Sequence, residues 1–111
     1  MSRSSAAHAH VFAALGDETR LELVGRLCTG PQSIAQLASG AAITRQAITK
    51  HLEVLTKAGL VHDAWKGRER LFELEAKRLD DARAYLEQIS QRWDERLGRL
   101  KTMLEQDGED E

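Results

Sequence analysis

Between Thr44 and Gly59 the chain reads TRQAITKHLEVLTKAG. Ile48, Leu52 and Leu55, with Ala47, Val54 and Ala58 alongside, recur at helical spacing, so one face packs inward. The other face carries Arg45, Gln46, Thr49 and Lys50 near its N-terminal end. Thr44 fits as the residue that caps the helix. Upstream, the pattern predicts a helix from about Ala6 to Leu15, with Val11, Phe12 and Leu15 as its apolar contribution. Gly16 would close it in a left-handed conformation and Asp17 would cap the next helix. That helix, Glu18 to Thr29, has Leu21, Leu23, Val24 and Leu27 on its inner side and stops at Gly30-Pro31. Ser33-Ile34-Ala35-Gln36 reads as a capping box opening a short helix, which Ser39-Gly40 interrupts.

Two short helices joined by a tight turn make a helix-turn-helix. Gly59 closes the second of them. Leu60 to Trp65 and Arg70 to Glu75 have strand composition and flank Lys66-Gly67-Arg68-Glu69, so a hairpin is expected there. Its tip carries Lys66, Arg68 and Arg70. A last helix spans about Leu79 to Leu104. Leu79, Ala82, Leu86, Ile89, Trp93, Leu97, Leu100 and Leu104 fall three or four apart and form a seam. At ~1.5 Å per residue this helix is roughly 39 Å long, more than a small domain can cover. The seam therefore predicts a homodimer, with Leu86, Ile89, Trp93, Leu97 and Leu100 at the interface. The fold expected is mainly α with a small β-hairpin, in the order α-α-α-α-β-β-α. It occupies residues 1–104, ahead of an acidic, disordered tail at 105–111.

Charge sharpens this picture. The net charge is −2, but residues 44–78 hold eight Lys/Arg against five Asp/Glu. Residues 1–43 and 79–104 each balance, and 105–111 contribute −5. Positive charge thus gathers where the polar helix face and the hairpin lie, and local field matters more than the total. An Arg/Gln/Thr/Lys face on a helix with an apolar back suits entry into a major groove. Arg45 and Gln46 have the reach for base edges; Thr44, Thr49 and Lys50 suit phosphates. The basic hairpin tip reads as a wing on the backbone or minor groove. No apolar run is long enough to span a bilayer, and MSRSSAAHAH lacks the apolar core of a signal peptide. One cysteine, Cys28, permits no intrachain disulfide, so a cytoplasmic location is expected. No phosphate loop, nucleophile motif or acid/base set points to an enzyme, and no cofactor is expected.

The order and spacing of these pieces resemble the ArsR-type winged-helix transcriptional repressors, over roughly residues 10 to 104. The resemblance rests on Leu15-Gly16-Asp17-Glu18-Thr19-Arg20-Leu21, Ser33 to Ala38, Ala47-Ile48-Thr49-Lys50-His51-Leu52, Leu55 to Val61 and Gly67-Arg68-Glu69-Arg70. It implies a dimer built from the first and last helices, which adds Val11, Phe12 and Leu15 to the interface, double-stranded DNA as partner, and Thr44, Arg45, Gln46, Thr49 and Lys50 facing that DNA. His51 matches a histidine common in the family and is read as a packing or hydrogen-bonding residue. Metal-sensing relatives carry paired cysteines, or histidines on the last helix; here Cys28 is alone and that helix has no histidine. The segment Arg92-Trp93-Asp94-Glu95-Arg96-Leu97 is similar to a metal-independent branch with an unknown effector. Two other readings stay open: a metal or thiol sensor using His8, His10 or Cys28, and a winged-helix module that binds protein instead of DNA.

Overall fold

The computed structural model describes residues 3–109. Five helices and three strands follow in the order α1 (Arg3–Leu15), α2 (Glu18–Leu27), β1 (Gln32–Ser33), α3 (Ile34–Ala38), α4 (Arg45–Lys57), β2 (Val61–Lys66), β3 (Glu69–Leu74) and α5 (Ala76–Glu109). This is the winged helix-turn-helix arrangement expected, with one addition. The chain forms two compact units, one ending at Leu79 and one starting at Asp80.

Side-chain caps set the helix starts. Asp17 accepts from the Arg20 N–H at 3.0 Å, and Thr44 accepts from the Ala47 N–H at 3.1 Å. Ser33 and Gln36 complete the capping box in both directions, at 3.1 and 2.8 Å. Each such cap satisfies a backbone donor that the helix itself leaves open. At the other end of α4, Gly59 N–H donates to Thr56 and Leu60 N–H donates to Leu55, both at 3.0 Å. That pair of bonds is a Schellman motif, and it needs the left-handed φ of +79° that Gly59 supplies. Leu55 and Leu60 are both fully buried.

The core of the first unit draws on nearly every element. Val11, Leu37, Ile48, Leu52, Leu60 and Val61 are almost wholly enclosed. α4 buries Ile48, Leu52 and Leu55, the three positions its periodicity singled out. In α2, Leu23 and Leu27 are buried, but Leu21 is 55% exposed. Leu21 lies about 200° round the helix from Leu23, so both cannot face inward.

β2 and β3 pair antiparallel from Val61↔Leu74 to Lys66↔Glu69. Only two residues, Gly67 and Arg68, lie between them. Gly67 has φ +64° and no other residue of the turn is positive, as a type II′ hairpin turn demands. β1, which the sequence pattern did not foresee, pairs with β3 through Gln32↔Phe72 and Ser33↔Leu71. The sheet therefore has three strands in the order β1-β3-β2.

Three further expectations change. Gly16 does not take a positive φ; the carbonyls ending α1 are instead met by Arg20, whose Nε donates to Ala14 at 2.6 Å. Val11 is only 1% exposed in the single chain, so it belongs to the protomer core and leaves the expected interface. The last helix continues past Leu104 to Glu109, so residues 105–109 of the acidic tail are helical; the remaining two lie outside the described residues.

Candidate nucleic-acid interface

The exposed side of α4 is built on the buried stripe behind it. With Ile48, Leu52 and Leu55 pinned in the core, helical geometry turns Arg45, Gln46 and Lys50 outward, and all three are exposed. The two threonines divide in role. Thr44 accepts through its hydroxyl oxygen to cap the helix, which leaves its proton available to a phosphate. Thr49 donates its proton to the Arg45 carbonyl at 2.8 Å, so as it stands it has no donor to offer a phosphate.

The hairpin sorts its cations in the same way. Lys66 and Arg68 are exposed at and beside the turn. Arg70, expected to join them, is instead committed within the hairpin. Its Nε donates to Asp63 at 2.6 Å, and its guanidinium lies 5.0 Å from the Phe72 ring centroid. Asp63 is held below the usual carboxylate value, chiefly by that Arg70 hydrogen bond. Arg70 thus stiffens the wing and is withdrawn from the set of free cations. One residue of the wing went unread in the sequence: Trp65 is 69% exposed on β2, next to Lys66. Its position before the basic tip was the available signal.

A second group holds α4 in place. The Arg20 guanidinium donates through Nε to Ala14, as above, and reaches the Ala13 carbonyl at 3.5 Å. Its Nη1 also lies 3.4 Å from His51 Nδ1 on α4. Asp17 is 3.9 Å from the same His51 nitrogen. The Asp17 carboxyl sits below its ordinary value, first because of the Arg20 backbone N–H and then the Arg20 charge. Arg26, at the other end of α2, donates to the Gln36 carbonyl at 2.9 Å and to Leu37. The two arginines of α2 therefore close the C-terminal ends of α1 and α3. Nothing in the periodicity of α2 signalled this, because both residues look like solvated charges.

At the base of the wing, His62 lies against Glu75 through Nδ1 and 3.4 Å from Glu73 through Nε2. His10 and Cys28 are exposed. Among the described residues, no group of three or more His, Cys, Asp or Glu side chains converges as a metal site would require. No helix among them is long and apolar enough to cross a membrane.

On α5 the apolar seam divides along its length. Ala82 is buried, whereas Leu86, Ile89, Trp93, Leu97, Leu100 and Leu104 are 45–73% exposed. Phe12 and Leu15 on α1 are half-buried.

Residues 15–64 match the model of a helix-turn-helix domain family. The chain is 33% identical over 97 residues to the HTH-type transcriptional regulator Rv2034 of Mycobacterium tuberculosis, covering 87% of this chain and 88% of that protein. It is 39% identical to the solved ArsR-like transcriptional regulator from Rhodococcus sp. RHA1, with a TM-score of 0.82 over 92% of this chain and 96% of that one. The homodimeric winged helix-turn-helix DNA-binding domain of Mb0332 from Mycobacterium bovis shares the fold at 22% identity, with a TM-score of 0.63 over 82% of this chain and 87% of its own.

Proposed function

The chain belongs to the ArsR family of helix-turn-helix transcriptional regulators, and from that premise we propose that it acts as a homodimeric repressor on a two-fold symmetric operator. The observation that carries this is the exposed Arg45, Gln46 and Lys50 face of α4, together with the exposed Lys66 and Arg68 at the hairpin tip. Both lie in the one segment of the chain with net positive charge. α4 enters the major groove; Arg45 and Gln46 address base edges, and Thr44 and Lys50 address phosphates. Lys66 and Arg68 reach the backbone or minor groove, with Trp65 as an apolar contact beside them. A dimer presents two α4 helices, which calls for an inverted repeat with half-sites about one DNA turn apart.

Repression follows from occupancy of the promoter, in the cytoplasm. The reading includes no dedicated metal site: His8 and His10 diverge on α1, and Cys28 is the one cysteine of the sequence.

The test is fluorescence anisotropy with DNA from upstream of the gene, at several salt concentrations. The affinity should saturate, fall steeply with salt, and survive random-sequence competitor. Arg45→Ala should relax base preference at a cost of about 1–3 kcal/mol, while Arg68→Ala weakens all sequences alike. Displacement by random DNA at equal concentration would sink the proposal.

A further inference from the structure

A cavity of about 490 Å³ opens between α1, the start of α2 and the second half of α4, away from the residues assigned to DNA. Its size is that of a small-molecule site. Ala13, Ala14, Val54 and Ala58 supply an apolar floor, and three alanines there are what leaves the space. Its polar lining consists of Arg20, Lys57 and His10, with no carboxylate among the lining residues. Among the described residues no acid pairs with Lys57. Asp17 already offsets part of the Arg20 charge, so the surplus is carried by Lys57; the two cations over a methyl-lined floor complement an anion with an apolar body.

We propose that this cavity binds an amphipathic carboxylate, and that its occupancy is read by the recognition helix. The apolar body lies over Ala13, Ala14, Val54 and Ala58; the carboxylate sits between Arg20 and Lys57. Arg20 is the residue through which occupancy reaches α4. Its guanidinium is shared among the Ala14 and Ala13 carbonyls and His51 Nδ1. A carboxylate is a stronger acceptor than a carbonyl or an imidazole, so it draws the guanidinium toward itself. The tie between the end of α1 and His51 on α4 then changes. A ligand that fits one setting of that tie better than the other shifts the population of DNA-competent chains.

Binding and coupling separate experimentally. Calorimetry on the full chain without DNA, using phenylbutyrate with phenylbutanol and phenylbutylamine as matched probes, reads binding alone. One carboxylate should bind per protomer, about tenfold tighter than the alcohol or the amine. Lys57→Gln should weaken it about fivefold, the worth of a partly exposed ion pair. Ala13→Phe, which fills the space from an exposed position, should abolish it with the circular dichroism spectrum unchanged. Equal binding of the three probes, or wild-type binding by both variants, overturns the site. If no probe binds and Ala13→Phe weakens self-association, a second copy covers the cavity and the proposal is also overturned. The coupling rests on the repressor reading. Phenylbutyrate should shift operator affinity in the wild type and not in Ala13→Phe, and an unchanged affinity overturns the coupling. Absence of any operator binding would instead defeat the repressor reading and leave the calorimetric result standing.

Discussion

Replacing Trp93 by glutamate should separate the two chains of the proposed dimer. Trp93 stands mid-seam on α5 and is 57% exposed in the single chain. A tryptophan side chain covers roughly 150–250 Å², so on the order of 100 Å² of it is still in water. At ~25 cal/mol per Å², burying that area contributes about 2.5–3 kcal/mol per protomer. A two-fold dimer counts it twice, about 5–6 kcal/mol. Ordering of the interface and loss of free motion consume part of any such gain. Taking half as surviving, loss of the ring weakens the dimer by about 3 kcal/mol, on the order of a hundredfold in Kd. The carboxylate adds a desolvation cost on top.

Sedimentation velocity over a hundredfold range of concentration reads this directly. The matched control is Gln91→Glu, which adds the same charge about 200° round the helix from Trp93. Trp93→Glu should sediment as a monomer where the wild type and Gln91→Glu are dimers, and all three should give the same helical circular dichroism. A Trp93→Glu chain that dimerises like the wild type removes the seam from the interface. So does equal weakening by both substitutions.

Four further outcomes follow from local geometry. Thr44→Ala removes the hydroxyl that accepts from the Ala47 N–H and should cost about 1 kcal/mol of unfolding free energy, measured in urea. Gly59→Ala should cost more: it is strained at φ +79°, and its new Cβ would stand 2.9 Å from the Arg78 side chain. Arg70→Ala should loosen the wing, seen as faster amide exchange in β2 and β3, while lowering operator affinity less than Arg68→Ala does. Asp17 and Asp63 are both held below their ordinary carboxylate value when folded. Their stabilisation is complete above the unfolded value of ~3.9 and fades as pH falls through the lower folded value. Asp17→Asn/Asp63→Asn should therefore flatten the acid limb of the stability curve and leave its slope near neutrality unchanged.

The elements legible in the sequence were those written in repeating patterns. α4 announced itself because Ile48, Leu52 and Leu55 are core positions at helical spacing, and the hairpin because a glycine separates two strand-like runs. The capping residues Asp17, Ser33 and Thr44 were legible for a local reason: each acts within three residues of its own position. What stayed hidden was non-local. β1 is two residues long and exists only because β3 pairs with it. Leu21 and Leu23 look alike in the sequence, and only the packed helix separates them. Arg70 looked as free as Arg68 until the strand register set Asp63 and Phe72 beside it. For the candidate site this matters most at Arg20 and Arg26, whose partners are backbone carbonyls six to eleven residues away. Backbone acceptors leave no trace in residue identity.

The same two arginines bear on how such a small domain can be regulated. On the proposed repressor reading, α4 has to be firm enough to hold Arg45 and Gln46 at base edges, yet some contact on it must be reversible if DNA is to be released. The apolar contacts of Ile48, Leu52 and Leu55 are unsuited to that role, because disturbing any of them opens the core. The caps at Thr44 and Gly59 are also unsuited, since they hold the helix itself together. His51 differs: it is half-buried, and what it faces is a charged side chain with other acceptors to choose from. Arg20 directs its donors at Ala13, Ala14 and His51 at once, so it can redistribute them toward a ligand without giving up every partner. That makes Arg20 and His51 the contact on α4 that can change at least cost to the fold.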